Sequence, residues 1–178
     1  MKKHFYKTRT KQHWLPYFVG VLLLSIGLPV STFATHIVGG SINYRALGSD
    51  QYEITVRVYR DCVNGAPGAD FDDPASIGVF DRFGSLLMDL RVPFVSQDTV
   101  TNRPDACLVI PQDVCVHTTT YVDTVSLPFL EGGYQLVYQR WCRNVTINNL
   151  VRPLETGATY DVWLTEEAMR RENSSPVF

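Results

Sequence analysis

The 178-residue chain has no lysine after Lys11 and no acidic residue before Asp50. Five of its sixteen basic residues lie in the first eleven positions, whereas all eighteen acidic residues follow. Without this basic leader the formal net charge falls from −2 to −7, because five positive charges are lost. An acidic body lacks the basic surface that binds nucleic acid, so the sequence argues against that class of function.

Long apolar runs are absent after residue 30, and the one before it follows the basic leader. Basic residues in 2–11 precede an apolar run over 15–30, and the small residues Thr32 and Ala34 come next. This order predicts a cleavable signal peptide over residues 1–34. An uncleaved membrane anchor is the alternative, but the run is shorter than the roughly 20 residues that span a bilayer. We expect a secreted or cell-surface protein that is not membrane-embedded once the leader is removed.

Paired Cys-x-x-Cys motifs are absent, and only two histidines follow the leader, His36 and His117. A zinc site usually needs more closely spaced ligands than these. An even number of cysteines in an exported protein favours disulfides instead, with three pairings possible. We therefore predict two disulfides among four residues, which are Cys62, Cys107, Cys115 and Cys142.

Sustained helical periodicity is also absent, apart from a turn or two at 166–171. Apolar and polar residues alternate with period two instead, between turns rich in glycine and proline. This pattern predicts an all-β fold, an antiparallel β-sandwich over residues 35–166. The predicted strands form a hairpin at 42–46 and 52–58, a second hairpin at 77–80 and 86–92, and strands at 114–126, 134–142 and 159–164.

The same alternation suggests which cysteines face inward. Cys62 has the parity of the apolar side of its strand, and Cys142 has the parity of Tyr134 and Tyr138. If both strands run regularly to their ends, both cysteines point into the core. The preferred pairing is therefore Cys62–Cys142, which leaves Cys107–Cys115 to close a small loop.

The sequence also lacks recognised catalytic motifs. Ile37–Gly40 matches the first four residues of activated trypsin-like proteases, but the serine context and the early histidine of that chemistry are missing. Nucleophile-elbow, zinc-protease and phosphate-loop motifs are missing as well. No catalytic residue is therefore predicted and we expect no enzyme; a hydrolase of unrecognised type is the alternative.

Two features could bind a ligand. Asp70, Asp72 and Asp73 crowd the long predicted loop 63–75, where carboxylates could hold calcium, although such loops also form turns without any ion. Trp141 and Trp163 have the outward parity of their strands and could stack on a sugar or contact a neighbouring domain, unless a second layer covers them. Calcium is the one cofactor considered.

Several short motifs occur together in one known family. The chain resembles the N-terminal module of large secreted Bacteroidetes proteins that are linked to gliding motility and to type IX secretion. The resemblance covers residues 35–178, although many members have two adjacent cysteines where this chain has Trp141-Cys142. The matching segments are 35–40, 52–56, 59–62, 71–75, 132–134, 138–140, 142–144 and 157–160.

The resemblance implies a surface protein built of PKD-like or Ig-like sandwiches, with residues 167–178 as a linker to a further domain. It implies adhesion or structural assembly without catalysis. The expected partners are neighbouring domains of a longer chain, surface glycans or other surface proteins. The alternative function is a carbohydrate-binding or calcium-dependent lectin-like module.

Overall fold

The structure, a computed structural model, describes residues 37–65, 69–101 and 113–176. The predicted signal peptide and Cys107 lie outside these ranges. Within them, no helix is long and apolar enough to cross a membrane.

In the described ranges, eight antiparallel strands form two four-stranded sheets, as expected for a β-sandwich. Sheet A has the order β1-β2-β6-β5 and sheet B has the order β4-β3-β7-β8. A 3₁₀ turn at Pro153–Glu155 precedes β8, and a short helix, α1, spans Glu166–Arg170. The strands are β1 Ile37–Gly48, β2 Gln51–Asp61, β3 Ala75–Phe80, β4 Leu86–Val92, β5 Asp98–Thr99, β6 Val116–Ser126, β7 Tyr134–Arg140 and β8 Ala158–Leu164.

Both predicted hairpins are confirmed. In the first, β1 pairs with β2 so that Ile42 lies opposite Val56. In the second, β3 pairs with β4 across a turn that Asp81 organises by accepting hydrogen bonds from the Phe83 and Ser85 amides, each at 2.8 Å. Gly84 closes this turn with φ of 79°, a left-handed conformation that glycine adopts without steric cost.

The core lies between the two sheets and consists of the inward positions of their strands. In β2 these positions are Tyr52, Ile54, Val56 and Val58, all buried, while the intervening residues are more exposed. Fully burying an aliphatic side chain of this size contributes about 1.5–3 kcal/mol. The buried positions of β3, β6 and β7 belong to the same cluster, which joins sheet A to sheet B.

The predicted Cys62–Cys142 pairing is wrong. Cys62 is bonded to Cys115, with 5.3 Å between their Cα atoms, and Cys142 is a buried free thiol. The parity argument failed because β2 ends at Asp61 and β7 ends at Arg140, before either cysteine. The register of β2 with β6 continues one residue further, where the Cys62 amide donates to the Cys115 carbonyl at 3.1 Å. The two cysteines are therefore cross-strand neighbours within sheet A.

The segment after β8 remains attached to the sandwich. Met169 of α1 is buried in the core. Ser175 donates its amide to the Tyr44 carbonyl at 3.0 Å, and the Ser174 hydroxyl accepts a hydrogen bond from the Ala46 amide at 3.0 Å. Ser174 and Ser175 thus contact β1 along its free edge.

Candidate functional site

Two regions hold the residues that the sequence singled out. The first, called the end cluster, lies where β2 and β7 end and comprises Arg60, Asp61, Asp70, Asp72, Asp73, Arg140 and Asn144. The second, called the outer groove, lies on the face of sheet B that points away from the core.

Two largely buried arginines hold the long loop between β2 and β3 in the end cluster. Arg60 forms an ion pair with Asp70 at 3.1 Å, and Arg140 donates to the Asp70 carbonyl at 2.5 Å. The Arg140 guanidinium also contacts the Asp72 carboxylate. Burial, and then the nearby charge of Arg60, lower the pKa of Arg140, yet a guanidinium stays protonated in proteins.

Asp72 is the residue of this loop that bonds to both sheets. Its carboxylate accepts a hydrogen bond from the Tyr138 hydroxyl of β7, and its carbonyl accepts one from the Tyr121 hydroxyl of β6, each at 2.8 Å. Burial raises the pKa of Tyr121 to about 12 and also raises that of Tyr138. Both phenols therefore keep their protons at neutral pH and act as donors.

Asp61 stabilises the start of the loop between β2 and β3 through hydrogen bonds. Its carboxylate accepts hydrogen bonds from the Val63 and Asn64 amides and from the Asn64 and Asn144 side chains, at 2.8–2.9 Å. Burial alone would raise the pKa of the Asp61 carboxyl, but these donors outweigh it and lower the pKa to about 2. Asn144 is itself buried and its amide donates to the Ile37 carbonyl. The bond between Asp61 and Asn144 thus connects β2 to the segment that follows β7.

The three carboxylates predicted to hold calcium do not converge. Asp70 and Asp72 pair with arginines, whereas Asp73 accepts a hydrogen bond from the Phe94 amide at 3.0 Å. Within the described ranges, the one group of three potential ligand atoms close enough for a metal is that of Cys62, Cys115 and His117. The calcium prediction gains no support from this geometry.

The outer groove has a volume of about 580 Å³ and runs across the exposed face of sheet B. Gly78 of β3 forms part of its floor, and a Cβ atom there would lie only 2.5 Å from the ring of Phe80, which folds over the glycine. The lining residues are Ser76, Gly78, Phe80, Gly84, Leu86, Asp89, Gln135, Val137, Gln139 and Thr159.

Polar groups cross-link the strands on this face. Gln135 donates to Asp161 at 2.9 Å, and Gln139 donates to the Thr159 hydroxyl at 3.3 Å. The hydrogen bond from Ser76, ahead of the ion pair with Arg91, lowers the pKa of Asp89. The groove therefore presents amide, hydroxyl and carboxylate groups beside apolar side chains, a combination typical of ligand sites.

Trp141 and Trp163 are both exposed on this face, as their parity predicts. Trp141 lines a second depression of about 340 Å³ that shares Gln139 and Thr159 with the outer groove. Trp163 lies opposite Gln135 at the other end of β7. Six residues of strand separate the two positions, a distance of about 20 Å. The two tryptophans thus flank one extended surface and do not form a pair around one ring.

Sequence reasoning missed the floor and polar lining of the groove, although signals were present. Gln135 and Gln139 have the same outward parity as Trp141, and a lone glycine such as Gly78 within a strand often marks a close approach. It also missed Leu86 of the edge strand β4, an apolar lining residue that is 57% exposed.

Comparison of the chain with protein-family models, with curated proteins and with solved structures finds no significant match. The family resemblance of the short motifs therefore stays a prediction, and function has to be argued from the geometry.

Proposed function

We propose that the chain is an exported, non-catalytic β-sandwich module of a modular cell-surface protein, which acts in adhesion or assembly through the outer groove of sheet B. The observation that carries this proposal is the contrast between the two regions. Asp70 and Asp72 of the end cluster are bonded to two largely buried arginines, whereas the polar groups of sheet B are bonded to one another across an exposed face that also carries Trp163.

The strand order supports an Ig-like type of sandwich. Numbered along the chain, sheet A reads 1-2-6-5 and sheet B reads 4-3-7-8. The same order is found in the ABED and CFG sheets of immunoglobulin domains with one additional strand beside C, and this likeness supports the Ig-like assignment. Tyr134 at the start of β7 donates its hydroxyl to the Pro128 carbonyl, six residues upstream, at 2.8 Å. A tyrosine bonded in this way at the corner before strand F is a feature of that fold.

The hydrogen-bond partners of the buried acidic residues support a function without catalysis. A general acid or base must reach substrate, but Asp61 and Asp72 direct their oxygens toward neighbouring backbone and side-chain donors. Export is supported by the basic and apolar leader of the sequence and by the Cys62–Cys115 disulfide, since such bonds persist in oxidising compartments.

The adhesive role can be tested with a pair of matched valine variants. Val137 lines the outer groove, whereas Val122 lies exposed on the outer face of sheet A. We expect beads coated with the Val137→Glu protein to adhere less than wild-type beads to surfaces coated with polysaccharide or cell-surface protein, and Val122→Glu beads to adhere normally. Equal adhesion by both variants would argue against the groove.

Catalysis is tested on the same preparations. We expect no turnover in broad esterase, peptidase and glycosidase assays. Turnover that disappears when one named carboxylate, such as Asp89, is changed to asparagine would replace this proposal with an enzymatic function.

The exposed tryptophans favour a second candidate, a carbohydrate-binding module. Sugar rings stack on aromatic faces, and their hydroxyl groups pair with amides and carboxylates such as those of Gln135 and Asp161. A glycan array should then show binding that Trp163→Ala weakens. Phe129→Ala is the matched control, because Phe129 is similarly exposed but contacts Arg170. Binding should survive a chelator, since the loop carboxylates do not converge. An array without any signal would remove this candidate.

A further inference from the structure

Three atoms that metals favour as ligands lie together at the end of sheet A. The Sγ atoms of Cys62 and Cys115 and one ring nitrogen of His117 lie within 4.8 Å of one another. The two sulfur atoms are joined in a disulfide, so the group cannot coordinate a metal in this state. Reduction would convert the sulfur atoms into thiols, which ionise to the thiolates that zinc binds.

One ring nitrogen of His117 has no partner among the described residues. Its Nδ1 atom is buried and has no hydrogen-bond partner in the part of the chain that the structure describes. A buried polar atom of this kind is uncommon and calls for an explanation, such as an ion or a redox role. The ring belongs to β6 and lies opposite Arg60 of β2, two residues from Cys115. The sheet register therefore holds the histidine beside the disulfide.

We propose that Cys62, Cys115 and His117 form a zinc site that the disulfide masks. A thiol reductant opens it: the Cys62–Cys115 bond breaks, two reductant thiols become one disulfide, and their two protons pass to the cysteine sulfur atoms. Zn²⁺ then displaces those two protons and binds two thiolates and one imidazole. The disulfide thus links the ends of β2 and β6 in the oxidised protein, and the zinc ion links the same ends in the reduced protein.

The distances are compatible with this change. Zn–S bonds of about 2.3 Å and Zn–N bonds of about 2.1 Å at tetrahedral angles place the ligand atoms about 3.6 Å apart. The two sulfur atoms, about 2 Å apart while they are bonded, would therefore separate after reduction, and the histidine nitrogen, now within 4.8 Å of both, would approach them by at most about 1 Å. Rotation of the three side chains can supply movements of this size. The fourth position stays open to water, as in other zinc sites with three protein ligands.

The charges around the three ligands are also compatible with zinc binding. Two thiolates neutralise Zn²⁺, so the metal adds no net charge beside Arg60, whose guanidinium already pairs with Asp70. Thiolate and imidazole ligands together favour zinc over calcium or magnesium, which prefer oxygen.

The test uses the full-length chain carrying Cys107→Ser and Cys142→Ser, so that Cys62 and Cys115 are the only thiols. A phosphine reduces the disulfide, becoming its oxide while water supplies the oxygen and both protons. Co²⁺ then serves as a visible probe for the zinc site, and competition with Zn²⁺ gives the affinity. We expect thiolate-to-cobalt charge-transfer absorption at one metal per chain in the reduced protein only, with the β-sheet circular-dichroism signal retained.

His117→Gln should weaken Zn²⁺ binding by at least ~100-fold, the upper end of what loss of an outer-shell partner costs. Gln51→Ala, at the opposite end of β2, is the control and should leave the affinity unchanged. The proposal is overturned if the reduced protein shows no charge-transfer band, if the His117→Gln and Gln51→Ala variants bind Zn²⁺ equally well, or if the disulfide is reduced only when the β-sheet signal is lost.

Discussion

The end cluster and the outer groove contain the same kinds of residue and use them differently. In the end cluster, the side chains of Arg60 and Arg140 are only 12% and 11% exposed and bind loop residues. On sheet B, Arg91 is 62% exposed and pairs with Asp89 beside the groove. Buried charges without partners are costly, so their partners are part of the fold, whereas exposed charges can exchange partners with a ligand. The contrast in exposure holds for the arginines, since the side chains of Asp72 and Asp89 are almost equally exposed, at 32% and 33%. Residue type alone therefore does not reveal which charged residues the fold holds in place.

The largest expected effect concerns the disulfide at the end of sheet A. Cys115→Ala should lower the free energy of unfolding by about 4 kcal/mol, the loop-closure contribution for a sequence separation of 53 residues. Cys142→Ala should cost less, because that thiol is buried but closes no loop. Urea unfolding of the oxidised proteins checks this order, and the reverse order would contradict the observed pairing.

The second largest effect on stability is expected from removing the arginine of the Arg140–Asp72 pair, which we compare with the Arg91–Asp89 pair. Arg140→Ala should cost about 3 kcal/mol, because it leaves Asp72 and the Asp70 carbonyl without their buried partner. Arg91→Ala should cost at most about 1 kcal/mol, since exposed pairs contribute little. The urea midpoints of both variants and of the wild type, measured under the same conditions, test this difference. Equal losses of stability in the two variants would contradict the proposed difference between the end cluster and the outer groove.

The pH dependence of stability should reflect Asp61. Its pKa is about 2 in the folded protein, against an ordinary value of 3.8. A lowered carboxyl pKa contributes stability above pH 4 that is lost as the pH falls toward 2. The loss should be roughly 2 kcal/mol, given about 1.4 kcal/mol for each pKa unit. Unfolding experiments between pH 6 and pH 2 should show this loss in wild type and not in Asp61→Asn. Asp89→Asn should remove a smaller part of the loss, because the pKa of Asp89 is also lowered, by the hydrogen bond from Ser76, but at an exposed site where such contacts contribute little.

The smallest expected effect on stability lies on sheet B. Trp163→Ala removes a large side chain, but that side chain is 43% exposed, so the loss should stay below about 1 kcal/mol. Tyr138→Ala, inside the core at 1% exposure, should cost about 3–5 kcal/mol. Thermal unfolding of the two variants provides the check. A comparable loss in Trp163→Ala would indicate that the groove is a structural element.

The sequence predicted the parts of the fold that depend on local periodicity. Alternation in β2 and β7 identified the buried sides of both strands, and the turn before β4 was recognised from Gly84. The pairing of Cys62 with Cys115 was not predictable in this way, because it depends on the register between β2 and β6, strands far apart in the chain. The same holds for Asp70 and Asp72: their crowding in one loop left a calcium site open, but the arginines that bind them come from β2 and β7.

The central claim is that the end cluster maintains the shape of the sandwich while the outer groove is available for recognition. It is tested most directly by urea unfolding of the triple variant Gln135→Ala/Gln139→Ala/Trp163→Ala beside Arg140→Ala. The account predicts that the triple variant unfolds within about 1.5 kcal/mol of wild type, because it loses only exposed contacts, and that Arg140→Ala unfolds far more readily. A triple variant that is as unstable as Arg140→Ala would contradict it.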